Sequence, residues 1–543
     1  MKKILILLLA LSSTVVLGFC GENDPIADNS GSGSTTDPDP GTDPDPDEPE
    51  PTTFMKYYVA ENGNDDGPGT LESPFRTITT ALLRVNPGDT VLVREGTYHE
   101  FVTPLRSGEK DRVITLMSYP GETARIDGTG LSIKGWYSPL IMIKGVDYMT
   151  FENLHVCNAT NAAPNSDPKG FLIMGSPRGI TLRGCKIYGI KSLATENSSA
   201  DWRSAHAIQV TGTEDRPIRD LLIENCEIFE NHTGTSESLT IAGNVDGFIV
   251  RNCYVHDVEN IGIIVAGGDT LNPGGDISVN YARNGTVEGN LVERCTHTKS
   301  PEYWGPTAYG AIGIYICGGA NTIVERNIVR ECDRGIGLVS ESDLLATRDC
   351  IVRNNFVSNC NRTGIYLGDY LNYYGAGTDA CQVVNNTLFN NNSVGGALDL
   401  DAVDGEGEIR LTENCTNNVI KNNIVYARPE RDIFVRKYTA TGSNNVIDYN
   451  HYYSQGAPKW IWDGVEYTDF AAWQKACGGD AHSVFGMDPR LVSDRETDPD
   501  LHLQADSPAR LTGEFISTYI HGTVDVDGDP RVTNGRINKG ADQ

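Results

Sequence analysis

Basic residues are scarce in this 543-residue chain: 44 Lys and Arg stand against 73 Asp and Glu, a formal net charge of −29. That balance argues against nucleic acid as a partner. The apolar run at the N-terminus is too short and too charged at its start to span a membrane. Cysteines number 13, yet no pair of CxxC motifs has metal-site spacing, which argues against a zinc cluster. Residues 21–53 hold almost nothing apolar and no Lys or Arg. What the chain has in quantity is Gly (58) and Pro (26), with 39% hydrophobic residues. Helical bundles are not built this way; turn-rich β architectures are.

The first 19 residues read as an export signal, with Lys2 and Lys3 before the apolar stretch Ile4 to Leu9. Cys20 follows Leu17-Gly18-Phe19 and resembles the lipid-modified Cys of bacterial lipoproteins. Residues 20–53 then form an acidic Asp/Pro-rich tether that cannot bury a core. It carries ten acidic residues, about a third of the charge imbalance. Glu22 and Asp24 resemble the surface-export signals of Bacteroidetes lipoproteins. The expectation is an outer-membrane lipoprotein on the cell surface, monomeric, touching the membrane only through its lipid.

A repeat fills the middle of the chain: "LRGCKIY", "IENCEIF", "VRNCYVH", "VEGNLVE", "VERNIVR", "VRNNFVS", "VVNNTLF" and "IKNNIVY". Its equivalent positions are Cys185, Cys226, Cys253, Asn290, Asn327, Asn355, Asn386, Asn423 and Asn450, with spacings of 27 to 41 by subtraction. A floor near 27 with variable excess describes a constant rung plus loops of varying length. Stacked Asn side chains at a rung corner hydrogen-bond to their copies above and below and satisfy buried polar groups. A second register lies five residues on, at Asn231, Cys295, Cys332, Cys360 and Asn391. Inward stacking predicts free, structural thiols rather than disulfides.

The spacing therefore predicts an all-β right-handed parallel β-helix over 54–455, closed by a C-terminal segment, 456–543. Each rung carries a strand before the ladder, such as "HAIQVTG", "ESLTIAG", "TGIYLGDY", "GALDLDAV" and "RDIFVRKY". Alternation puts Ile208/Val210 and their equivalents, including Leu398/Leu400 and Ile433/Val435, inside. Outside, one column reads Gln209, Thr240, Ile264, Tyr315, Gly337, Tyr366, Asp399, Phe434.

Residues 57–98, "YYVAENGNDDGPGTLESPFRTITTALLRVNPGDTVLVREGTY", resemble the N-terminal cap of carbohydrate-active β-helix proteins, including family 9 polysaccharide lyases. Ser73 is expected to cap a helix over 74–85 that plugs the solenoid. "SESLTIAGNVDGFIVRNCYVHDVENIGIIVAGG" and the closing "VDVDGDPR" and "INKGADQ" resemble β-helix proteins of polysaccharide-degrading bacteria. The resemblance implies an enzyme acting on an acidic polysaccharide.

The outward residues of the middle and late rungs supply the candidates. Asp399, Asp401, Asp369 and Glu341 offer carboxylates for a calcium ion. Tyr315 and Tyr366 are candidates for proton transfer, with His256 and His206 as alternative bases. Arg436 suits a substrate carboxylate or sulfate. Arg283, Tyr309, Trp304 and Tyr370 are candidate sugar contacts on the groove walls. The expected reaction is β-elimination on a uronic-acid-containing chain such as pectin or a glycosaminoglycan. A glycoside hydrolase using paired carboxylates and a non-catalytic glycan-binding solenoid are the alternatives.

Overall fold

The computed structural model describes residues 54–195, 202–268, 276–369, 375–394 and 405–543. The signal segment, Cys20 and the tether lie outside them. Three long parallel sheets wind into a right-handed β-helix. In one rung the chain runs through His206–Gly212 in the first sheet, Leu221–Glu224 in the second and Glu227–Phe229 in the third. The next rung repeats this in register: Ile208 pairs with Leu239, Ile223 with Val250 and Ile228 with Val255. Those residues are fully buried, so Val, Ile and Leu stacked at each inward position make one continuous core.

The asparagine ladder follows the sequence register. The Asn290 amide nitrogen donates to Asn327 Oδ1 at 2.9 Å, and Asn327, Asn355, Asn386 and Asn423 repeat the bond up to Asn450. The paired Asn residues divide the work. The first of each pair, Asn354, Asn385 and Asn422, has φ of 54–58° and makes the left-handed turn that Asn tolerates. The second points inward. In the second register Asn391 Oδ1 accepts from the Cys360 N–H at 2.9 Å. A third ladder, which sequence reading missed, runs from Cys381 to Asn418 to Asn445 at the start of the second-sheet strands. All cysteines among the described residues are free, and all but Cys477 are buried.

Three expectations need correction. The rung strand after Ile365–Gly368 is Ile409–Leu411, not "GALDLDAV": Tyr366 pairs with Arg410, and Arg410 with Arg436. Leu398, Leu400, Asp399 and Asp401 lie outside the described residues. Both stretches alternate, so period alone did not separate them. Phe434 points inward, fully buried against Tyr452 and Trp460, because the strand bulges between Ile433 and Arg436. Finally, the capping helix is only Ile78–Leu82, with Thr77 rather than Ser73 as its cap. Phe75 is held extended against Val59, and Asp65 accepts the Arg76 and Thr77 N–H groups, so helical geometry starts late.

The parallel pairing continues past residue 455 to Lys459–Trp462 and Val484–Phe485. The C-terminal segment then folds back along the solenoid. The Asn354, Asn385 and Asn422 amides donate to the backbone carbonyls of His521, Asn538 and Glu514.

Candidate functional site

The outer face of the first sheet gathers most of the candidate residues in its later rungs. Alternation sends Tyr315, Gly337, Tyr366, Arg410 and Arg436 outward from successive strands. Gly368 (φ 105°) turns the chain after Tyr366, and an added Cβ there would lie 2.6 Å from the Glu413 carbonyl. This turn places Asp369 in a buried position behind Tyr366. The Tyr366 hydroxyl donates to the Asp369 carbonyl at 2.9 Å. The Gly375 N–H donates to Asp369 Oδ2 at 2.9 Å, and Oδ1 has no hydrogen-bond partner among the described residues. Burial pushes the Asp369 pKa up to about 7; the Gly375 N–H opposes this, and the nearby Glu413 and Glu341 carboxylates add to it. Glu341 is half-buried and accepts from the Tyr315 hydroxyl at 2.9 Å.

Cationic groups lie across Tyr366. The Arg410 guanidinium sits 4.6 Å from the Tyr366 ring centre and 4.9 Å from that of Tyr438; Arg436 covers Tyr438 at 4.4 Å. Arg334 (2.8 Å), Arg362 (2.8 Å) and Arg410 all converge on the buried carboxylate of Glu406. Burial would raise that carboxyl's pKa, but the three guanidinium groups outweigh it and hold it well below the usual range. Tyr309 joins the cluster through its carbonyl, which accepts from Arg362 at 3.3 Å.

Tyr315, Tyr366, Asp369, Glu341, Arg436 and Tyr309 are thus brought to one region. Tyr370, Asp399 and Asp401 lie outside the described residues. His256 faces out from the third sheet, sandwiched by Phe229 and Tyr254 and bonded to Asp257 at 2.9 Å, away from this face. Arg283 opens a second-sheet strand and spends its guanidinium on Asn244, the carbonyls of Val279 and Tyr281, and Asp246. Trp304 is half-buried, stacked on His297 at 3.8 Å, with its indole N–H on Glu259 at 3.1 Å.

Sequence reading missed Arg334, Arg362, Glu406 and Arg410. Arg410 becomes visible only once the rung strand is placed at 409–411. Tyr315 and Tyr366 are also more deeply covered than an open groove implies, at 1% and 0% exposure, so Arg436, Tyr438 and Glu341 are the accessible groups. Calcium takes six to eight oxygens. Asp369 and Glu341 do not complete such a cage among the described residues. The acidic triad close enough to hold an ion there is instead Asp525, Asp527 and Asp542, in the C-terminal segment.

Residues 57–258 match the family described as "Pel9A-like, right handed beta helix region", and residues 194–402 match "Right handed beta helix region". A 112-residue stretch is 29% identical to pectate lyase PEL9 of Emericella nidulans, covering 19% of this chain and 27% of that one. Among solved structures, the GH136 lacto-N-biosidase of Eubacterium ramulus is similar in fold. It matches with a TM-score of 0.50 and 16% identity over 72% of this chain and 67% of that one. The uncharacterized protein YwoF of Bacillus subtilis is 31% identical over 455 residues, 83% of this chain and 92% of its own. The chain therefore belongs to the same family as YwoF.

Proposed function

We propose that this protein is a polysaccharide lyase that cleaves uronic-acid-containing chains by β-elimination, tethered to the outer membrane at the cell surface by a lipid on Cys20. The observation that carries the reading is the pairing, across Tyr366, of a buried carboxyl that keeps its proton to about pH 7 with a group of guanidinium side chains. Elimination next to a uronate needs the guanidinium charge, and a neutral carboxyl keeps a further negative charge away from it. Arg436, half-buried at the edge of the cluster, pairs with the substrate carboxylate and makes the neighbouring C5–H more acidic. Glu341, half-buried and oriented by Tyr315, takes that proton and returns it to the departing O4. Asp369, buried behind Tyr366, stays neutral up to about pH 7 and adds no negative charge beside that base. The family resemblance and the PEL9 stretch support the substrate class. With the guanidinium groups meeting the carboxylate, activity on polygalacturonate should survive chelator and fall at least a hundredfold in Arg436→Ala. Loss in chelator, restored by calcium, would replace this route with a metal held by Asp369 and Glu341.

One observation favours a hydrolase as the second reading. Asp369 and Glu341 are neighbouring carboxyls, and burial with the added Glu413 and Glu341 charges raises the Asp369 pKa to about 7, the range an acid needs. The products decide. A C4–C5 double bond, read as ultraviolet absorbance, supports elimination; saturated reducing ends support hydrolysis.

A further inference from the structure

A second group of buried charges lies on the same face several rungs earlier, and no step above uses it. Lys169 and Asp167, both fully buried, pair at 2.5 Å. Asp167 also bonds His206 Nδ1 at 3.0 Å, and His206 Nε2 faces Glu237 at 3.6 Å. Burial and Asp167 pull the Lys169 pKa in opposite directions, and burial prevails. Beside this group lies another buried pair, Arg203 and Glu259, at 2.6 Å. Desolvation offsets most of what a buried ion pair gains, so two of them side by side are poor explanations of stability.

Besides His206, Ser300 and Gly234, both pairs contact tryptophans or the residues next to them. The Lys169 ammonium donates to the Trp136 carbonyl at 2.9 Å. The Asp167 N–H donates to the carbonyl of neighbouring Gly135. Arg203 follows Trp202, whose backbone N–H and C=O are both bonded to Asn165. Glu259 accepts the Trp304 indole N–H, and Arg203 lies 4.3 Å from the ring of Tyr303. The Trp136 and Trp202 rings pack together at 4.2 Å, tilted by 34°, and all three tryptophans are half-buried. Trp136 and Trp202 lie just before first-sheet strands, and Trp304 in the longer loop that leads to Ile312–Cys317, on the margin of the sheet where Arg362 and Glu406 also lie. From the strand of His206 to that of Tyr366 is five strand-to-strand steps, about 24 Å at the usual spacing. That is an oligosaccharide's length rather than one sugar's.

We propose that Trp136, Trp202 and Trp304 form an aromatic track, fixed by the two buried ion pairs, that binds the sugar rings of a polysaccharide running along the sheet margin into the late-rung site. Tryptophan faces bind the apolar C–H face of a pyranose whatever its charge, so the track grips the chain while the guanidinium cluster reads its carboxylates. The inference rests on the polysaccharide reading above.

The test uses the mature chain and two probes, polygalacturonate and chondroitin sulfate. In Trp136→Ala/Trp202→Ala, KM for the polymer should rise about tenfold while kcat moves less than twofold. Trp136→Phe/Trp202→Phe should recover most of the loss, which a folding defect would not allow. An unchanged KM overturns the track and leaves the lyase reading standing. In parallel, migration through gels containing each glycan reads binding without turnover. A wild-type protein that cleaves neither glycan but is retarded, with the Ala variant running freely, overturns the activity and upholds the track. A wild-type protein that is not retarded by either overturns the track.

Discussion

Asp369 keeps its proton because water cannot reach it and because Glu341 and Glu413 face it. Its ionisation would put a negative charge beside Glu341 and the guanidinium cluster, so kcat/KM for an acidic chain should fall above about pH 7, and Asp369→Asn should remove that limb while keeping most of the activity. Folding stability changes with pH as well. Between the ordinary carboxyl value near 3.8 and the native value of about 7, the folded state holds a proton that the unfolded state has lost. Stability contributed by this group is therefore present at low pH and lost as pH rises from about 4 to 7. Thermal melts across that window should fall more steeply for the wild type than for Asp369→Asn. A second residue-scale prediction concerns the ladder. Asn355 donates to the carbonyls of Val324 and Arg353 and to Asn386, and accepts from Asn327. Asn355→Ala should cost about 2–4 kcal/mol in denaturant unfolding, because it also leaves its neighbours' polar groups unsatisfied in the core. The ladder residues were legible in the sequence because each must be small, polar or Cys at a fixed corner of every rung. Arg334, Arg362 and Glu406 were not, since a buried ion cluster joins residues up to 72 positions apart and leaves no period.

At the scale of the strand and turn, one rule does most of the work. An Asn or Gly in the left-handed region follows many of the second-sheet strands, with Arg326 and Tyr449 taking that place in two others, and the next residue enters the core. The spacing of those dipeptides marks the rung, and the resemblance carried by residues 57–98 points to a plug. What spacing could not fix was a strand lying beside another alternating stretch. "GALDLDAV" and "EIRL" satisfy the same pattern, and only pairing with Ile365–Gly368 decides between them. Nor did pattern show how deeply the outer face is covered, because that depends on loops whose lengths vary freely. The cysteines belong to this scale too. Cys226 Sγ lies near the Leu182 and Glu224 carbonyls, and the neighbouring Cys185 and Cys253 thiols together with burial raise its pKa. Such thiols are neither ionised nor reachable. Titration of the denatured, unreduced protein should find nearly all thiols free; a count close to zero would contradict the stacking.

For the whole molecule, the charge of −29 makes long-range attraction to an acidic chain impossible without a local positive region. Association with polygalacturonate should therefore quicken as ionic strength rises to physiological values, the reverse of a basic protein's behaviour. Anchoring is a separate property. If Cys20 carries the lipid, Cys20→Ala should move the protein from the membrane fraction to the soluble one, and retention there would place the anchor elsewhere.

The last strand of the first sheet, Lys459–Trp462, pairs on its far side with Val465–Tyr467 running the opposite way, the antiparallel exception on a face otherwise parallel throughout. Beyond it, the helix Phe470–Cys477 lays Trp473 over Trp460, and Asp480 accepts from Tyr452 and Trp473 at the end of the asparagine column. A stack of identical rungs has no internal reason to stop: its final strand offers the same hydrogen bonds to a stranger's first strand as to its own next one. Reversing direction and roofing the core withdraws that offer. Deprived of this roof, molecules would be expected to add head to tail, giving fibres that bind amyloid dyes and lengthen with protein concentration.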